Sequence, residues 1–231
     1  MDALSLFLIC FVVLLVLWLL YEGAIMLNKK IAHKPAVIFG LLYRRFSVPD
    51  YVSSPYYGKY SLRTNDNIRY CPTIDDSALA SLASQLKSVC NNMSDKRKAS
   101  FLLAFVQQNV KYVSDEKQYG VSDEWVLPVT TMSRGTGDCE DSAFLFSYFA
   151  SYVGLDVVTV RVSGHMLAGV NVSGVLIGSS ITVGSTKYYL VEPTGLIPVV
   201  GLTNSSYSTI LAASAPVTPT ADYIASLKDI E

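Results

Sequence analysis

The sequence lacks most of the features that mark nucleic-acid and nucleotide binding. Its 231 residues carry 18 Lys and Arg against 19 Asp and Glu, a formal net charge of −1, so no basic surface is predicted. A glycine-rich phosphate loop and an internal repeat are also absent. The chain contains only two histidines, His33 and His165. These absences predict no nucleic-acid partner and restrict any imidazole chemistry to two positions.

Charge is missing from residues 3–21, and the apolar character continues to residue 27. That length is sufficient to cross a bilayer as a helix. No Lys or Arg precedes the run, as one would in a signal peptide. We therefore predict a transmembrane anchor over residues 1–28, with residues 3–27 in the lipid bilayer; a cleaved signal peptide is the alternative.

Two signals disagree about which side of the membrane carries the rest of the chain. Lys29, Lys30 and other basic residues follow the span and none precedes it, which favours a cytoplasmic domain. A disulfide between Cys71 and Cys90 would instead favour an external location, and two buried free thiols are the alternative to that bond. The orientation therefore stays open at the level of sequence.

The part of the chain after the anchor divides into three segments. Residues 29–70 form a basic, tyrosine-rich connector in which three prolines argue against one long helix. Residues 71–200 form the predicted catalytic domain. Residues 201–231 are rich in Ser, Thr, Ala and Pro and read as a C-terminal tail on the surface, with a short helix over 221–229.

Hydrophobic periodicity within residues 71–200 predicts helices first and strands afterwards. Apolar residues recur at helical spacing over 79–89 and 101–110, and 114–134 reads as a loop. A third helix is predicted to begin at Cys139, capped by Asp138 and Asp141, and to end near Gly154. Strand signals follow over residues 157–162, 166–172, 175–183 and 187–191. This order predicts an α+β domain with a mostly antiparallel sheet.

Three short segments carry the candidate chemistry. Cys139 lies after the turn residue Gly137 and at the start of the apolar third helix, where backbone N–H groups stabilise a thiolate and an oxyanion. The acidic residues around it raise a thiol pKa, so a cationic group must approach, and His165 is the candidate. Glu192, at the end of a strand, is the candidate acid to orient the imidazole.

Other interpretations of these residues are open. Asp156 and Asp141 are alternative partners for the histidine, and Cys139 alone reads as a buried small hydrophobe. A zinc site of Cys139, His165 and an acid is disfavoured because neither CxxC nor HxxxH spacing occurs. No acidic cluster has the spacing of a calcium loop. No metal and no cofactor are therefore predicted.

The segments at 137–141, 164–165 and 189–194 together resemble the transglutaminase-like superfamily, and are most similar to its archaeal and bacterial cysteine peptidase branch. The resemblance covers about residues 101–196. It implies a papain-like Cys-His-acid core in which Cys139 is the nucleophile, His165 the base and Glu192 the third member. Gln107, Gln118 and Trp125 are candidates for an oxyanion side chain.

The resemblance implies a membrane-anchored enzyme that acts on amide bonds through a cysteine thioester. Its substrate would be a protein or peptide. Hydrolysis would make it a cysteine peptidase or amidase, and attack by a primary amine would make it a transglutaminase-type acyltransferase. The alternative is a catalytically silent transglutaminase-like binding module at the membrane.

Overall fold

A computed structural model of the protein describes residues 71–72, 77–175, 177–203 and 209–217. The anchor predicted over 1–28, the connector predicted over 29–70 and the helix predicted over 221–229 lie outside these residues, so these expectations stay predictions. None of the helices within the described ranges is long and apolar enough to cross a membrane.

The described chain is a mixed α+β structure, which confirms the predicted class. Its five helices, in chain order, are α1 (Ser77–Cys90), α2 (Asp95–Asn109), α3 (Asp115–Gln118), α4 (Pro128–Arg134) and α5 (Cys139–Tyr152). Its strands are β1 (Cys71–Pro72), β2 (Lys111–Tyr112), β3 (Thr136–Gly137), β4 (Val157–Val162), β5 (His165–Val170), β6 (Ser180–Val183), β7 (Thr186–Val191), β8 (Ile210–Ser214) and β9 (Pro216–Val217).

Helix α5 is the centre of the domain. Every residue from Glu140 to Ala150 is buried, because the helix is packed against α2 and α4 on some sides and against β4 and β5 on another. The ring of Phe149 meets that of Phe105 from α2 edge to face, with centroids 5.6 Å apart. A helix that is apolar on most of its circumference is stable only in such a position, so the cysteine at its start has a rigid support.

One curled antiparallel sheet of five strands covers α5, in the order β6-β7-β5-β4-β8. Strand β4 is in the sheet interior and pairs with β5 on one side and with β8 on the other. Strand β7 pairs with β5. The first residue of β5 and the residue after β7 therefore lie at the same end of two neighbouring strands, which is where His165 and Glu192 occur.

The structure differs from the predicted elements at three places. Strand β8 belongs to the segment predicted as a surface tail. Its five residues show no alternation of apolar and polar side chains, so the strand conformation depends on pairing with β4. The strand predicted over 175–183 is only Ser180–Val183, because Gly178 packs against the backbone of Gly201 before it. The loop predicted over 114–134 contains α3 and α4, and α4 begins at Pro128 and ends at a left-handed Gly135.

Candidate active site

Cys139 is the first residue of α5, as the sequence predicts. The chain reaches it through β3, which pairs in parallel with β2 and follows the left-handed turn at Gly135. Gly137 has no room for a side chain, since a Cβ there would lie 2.7 Å from the Cβ of Asp141. The glycine therefore lets α5 begin directly beneath the preceding strand.

The two residues predicted to cap this helix are both at its start, and the Asp141 carboxyl interacts with the backbone N–H of Asp138. Asp138 is the N-cap residue, but its side chain makes no capping hydrogen bond. The carboxylate of Asp141 is fully buried and accepts the backbone N–H of Val126 at 3.2 Å. Asp141 therefore holds the segment before α4 against α5.

The thiol of Cys139 is in an acidic environment. Its Sγ donates a hydrogen bond to Oε2 of Glu140 at 3.0 Å. Burial and then the charge of Glu140 raise the pKa of Cys139 far above its ordinary value, while the backbone N–H of Met166 opposes this rise. The thiol is therefore neutral in this arrangement, and thiolate formation requires a base.

His165 and Glu192 form a close pair on the neighbouring strands. His165 Nε2 lies 3.0 Å from Oε1 and 3.1 Å from Oε2 of Glu192. Glu192 is 2 % exposed, so the contact is in a poorly hydrated environment where a charged hydrogen bond is strong. Because the acid engages Nε2, proton exchange between this ring and a thiol would take place at Nδ1.

A cavity of about 650 Å³ joins the cysteine and the histidine, since both residues line it. Met166, Trp125 and Tyr112 line it as well. The backbone N–H of Met166 acts on the Cys139 thiol, which places the start of β5 beside the start of α5. A substrate group in this cavity would therefore meet both side chains.

The alternative acids are engaged elsewhere. Asp156 accepts hydrogen bonds from the Tyr188 hydroxyl at 2.9 Å and from the Asn171 amide at 3.0 Å. Asp141 accepts from Val126, as described above. Of the three candidates raised by the sequence, Glu192 is the one whose carboxylate contacts the histidine.

The oxyanion candidates take up different positions. Gln107 donates to the backbone carbonyl of Glu192 at 2.9 Å, so its amide supports the acid. Trp125 lines the cavity, and its indole N–H donates to Asp123 at 2.9 Å. Gln118 ends α3 and is not among the residues that line the cavity. The structure thus brings only Trp125 of the three to the cavity.

One wall of the cavity is strongly acidic, which the sequence reasoning missed. Asp115, Asp123, Asp138 and Glu140 all line it. Burial raises the pKa of Asp115 to about 6 and is also the main cause of the raised pKa values of Asp138 and Glu140. The density of acidic residues over 115–124 was the available signal, but only the fold brings that segment to the cysteine.

Within the described part of the chain, three overlapping groups that include residues of this wall have the donor types of a metal site. Within each group, the ligand atoms lie within 4.8 Å of one another. The groups are Asp138 with Cys139 and Glu140, Asp115 with Asp138 and Asp141, and Asp115 with Asp123 and Glu140. Carboxylate oxygens suit a hard divalent cation, and His165 belongs to none of the three groups. These groups therefore differ from the zinc site of Cys139, His165 and an acid that was considered from the sequence.

The chain is similar to a solved structure at low sequence identity. The chain matches no protein-family model and no curated protein. It resembles a solved structure described as a "putative cysteine protease" from Cytophaga hutchinsonii, with 14 % identity and a TM-score of 0.37. The match covers 66 % of this chain and 55 % of that one, so this chain aligns with only about half of that protein's length. Such a similarity is too low to define a family or an activity.

Proposed function

We propose that this protein is a thiol acyl-transfer enzyme with a papain/transglutaminase-like core, which acts on amide bonds through a thioester at Cys139. One observation carries the proposal. His165 is in contact with the buried carboxylate of Glu192 and lines the same cavity as a cysteine at a helix start. This set offers a nucleophile, a base and an orienting acid.

The reaction begins when His165 takes the proton from Cys139, with Glu192 stabilising the imidazolium. The thiolate attacks the carbonyl carbon of an amide, and the carbonyl electron pair moves to the oxygen. The backbone N–H of Cys139, at the start of α5, donates to this oxyanion. The C–N bond then breaks, His165 protonates the leaving amine, and a thioester remains on Cys139.

The group that attacks the thioester in the second half of the reaction determines whether the enzyme is a hydrolase or an acyltransferase. If water attacks the thioester, the products are a carboxylic acid and the free thiol, and the enzyme is a cysteine peptidase or amidase. If a primary amine attacks, the product is a new amide, and the enzyme is a transglutaminase type. In both cases His165 accepts the proton of the nucleophile and returns it to the thiol sulfur.

The substrate in this proposal is a protein or peptide, held at the cavity beside exposed Tyr112 and Val121. The proposal also retains the bilayer anchor of residues 3–27, which would keep the domain near membrane-associated substrates. Its orientation is tested by protease protection of closed vesicles, in which only an outward-facing domain is digested.

The test uses the full-length protein in detergent, with casein and fluorogenic peptides as substrates and a fluorescent primary amine as acceptor. Cys139→Ala should abolish both thioester formation, detected by mass spectrometry, and turnover. His165→Ala should slow the acylation step, and Cys90→Ser is the matched control that should leave it unchanged. Full turnover by the Cys139→Ala variant would refute the mechanism.

A catalytically silent binding module is the second candidate, and one contact favours it. The thiol donates to Glu140 at 3.0 Å and its pKa is raised by burial, which opposes nucleophilic activation. The pH dependence of Cys139 alkylation separates the two candidates. The wild type is compared with His165→Ala. Fast labelling of the wild type below the ordinary thiol pKa of about 8.5, lost in His165→Ala, supports the enzyme. Slow labelling with an ordinary pH profile in both proteins supports the binding module.

A further inference from the structure

The turn that follows β7 is built around the side chain of Glu192. The backbone N–H of Gly195 donates to the carbonyl of Glu192 at 3.0 Å, which closes a four-residue turn with Pro193 at its second position. Proline is favoured at that position because its φ is already set. The turn brings the third residue, Thr194, back toward the carboxylate.

The hydroxyl of Thr194 donates to Oε1 of Glu192 at 2.7 Å. This is the same oxygen that lies 3.0 Å from His165 Nε2, while Oε2 lies 3.1 Å from that nitrogen. A glutamate side chain has three rotatable bonds, so its carboxylate can rotate away from a partner unless further contacts restrain it. The hydroxyl supplies one such restraint.

Two further features restrain the main chain and the side chain of the same residue. Gln107, from α2, donates to the Glu192 carbonyl at 2.9 Å and so ties the turn to the helical layer. Gly195 leaves space for the acid, because a Cβ there would lie 2.9 Å from Cγ of Glu192. The turn is therefore shaped to keep a buried glutamate in one orientation.

We propose that Thr194 is a positioning residue, which orients the Glu192 carboxylate toward His165 through its hydroxyl. The proposal rests on the function proposed above, since the His165 and Glu192 pair is part of that site. Thr194 itself does not line the cavity, so it acts through the acid and not on the substrate.

The test compares three substitutions in the full-length protein. Thr194→Val keeps the shape of the side chain and removes the hydroxyl, whereas Thr194→Ser keeps the hydroxyl. Thr182→Val makes the same chemical change on the exposed part of β6 and serves as the matched control. Circular dichroism melts establish that each variant folds, and Thr194→Ala replaces the valine variant if that variant does not fold.

The first readout is the ¹H–¹⁵N NMR signal of His165 Nε2–H in ¹⁵N-histidine-labelled protein. The chain has only two histidines, so a His33→Gln background leaves one imidazole to observe. We expect Thr194→Val to shift or broaden this signal through faster exchange with water, and Thr194→Ser and Thr182→Val to leave it unchanged. An unchanged signal in Thr194→Val would overturn the proposal.

The second readout is the rate of Cys139 acylation, measured with the substrate that the activity test of the proposed function identifies. Loss of a hydrogen bond to a charged group predicts about a tenfold lower rate constant in Thr194→Val, with KM unchanged and the rate restored in Thr194→Ser. A serine variant as slow as the valine variant would refute the role of the hydroxyl. The NMR readout needs no turnover, so the two proposals can fail separately. If the wild-type protein is inactive, the proposed function is refuted. If the His165 signal nevertheless responds to Thr194→Val, the orienting role of Thr194 is still supported.

Discussion

The carboxylate of Asp115 should destabilise the folded protein at neutral pH, so that Asp115→Asn stabilises it. Asp115 is 2 % exposed; its Oδ2 accepts the N–H of Glu124 at 2.6 Å, while Oδ1 has no hydrogen-bond partner among the residues that the structure describes. Burial, together with the nearby charge of Asp138, outweighs that hydrogen bond and raises the pKa of Asp115 to about 6. The unfolded chain binds the proton less tightly, with a pKa of about 3.9.

The difference between the two pKa values sets the sign and the size of the effect. A rise from 3.8 to about 6 corresponds to about 3 kcal/mol at about 1.4 kcal/mol for each pKa unit. Asp115 lines the cavity, where water screens part of this energy, so we expect about 1 to 3 kcal/mol. Below about pH 4 both states are protonated and the penalty is absent; it grows between about pH 4 and 6 and is complete above pH 6.

Urea unfolding followed by far-ultraviolet circular dichroism at several pH values between 4 and 8 measures this energy. Asp115→Asn should exceed the wild type in unfolding free energy at pH 7, and the two should converge toward pH 4. Glu116→Gln is the matched control, since Glu116 is the exposed neighbour in the same short helix. A variant that is less stable at pH 7, or a difference that does not change with pH, would show that the reasoning is wrong.

Three further expectations follow from contacts elsewhere in the structure. Glu140→Gln should accelerate alkylation of Cys139 above about pH 9, because burial raises the pKa of Glu140 to about 9 and only the charged carboxylate then raises the thiol pKa; equal rates for the variant and the wild type in stopped-flow labelling at that pH would contradict this. Cys90, whose pKa burial raises to about 11, should resist alkylation until the protein unfolds, as mass spectrometry with and without urea would show. Phe149→Ala should lower the unfolding free energy by about 3 to 5 kcal/mol, since its ring is fully buried against Phe105; a denaturant midpoint close to that of the wild type would speak against tight packing there.

The free thiol of Cys90 also bears on the disulfide raised from the sequence. Cys90 is buried at the end of α1 and is not in a disulfide, so the alternative of an unpaired thiol holds for this residue. The orientation of the predicted anchor stays a prediction that vesicle protection can test.

Local patterns were sufficient to predict the elements that carry the cysteine and the histidine. Helix α5 begins at Cys139 because a glycine-containing turn and a long apolar run are adjacent in the chain. Strands β4, β5 and β7 follow from runs of apolar and β-branched residues. These signals depend on neighbours within a few positions, which is why sequence alone determined the class of the domain and where Cys139, His165 and Glu192 occur in it.

Contacts between distant segments were decided only by the tertiary structure. The amide of Gln107 reaches the carbonyl of Glu192 across 85 positions of sequence, and β8 takes its place beside β4 although its own residues carry almost no strand pattern. The acidic segment around Asp115 becomes a cavity wall because the fold brings it to the start of α5. A pattern along the sequence gives the propensity of each segment but not which surfaces come into contact. The sequence by itself therefore determined the types of the candidate site residues. Packing determined which side chains and strands they contact.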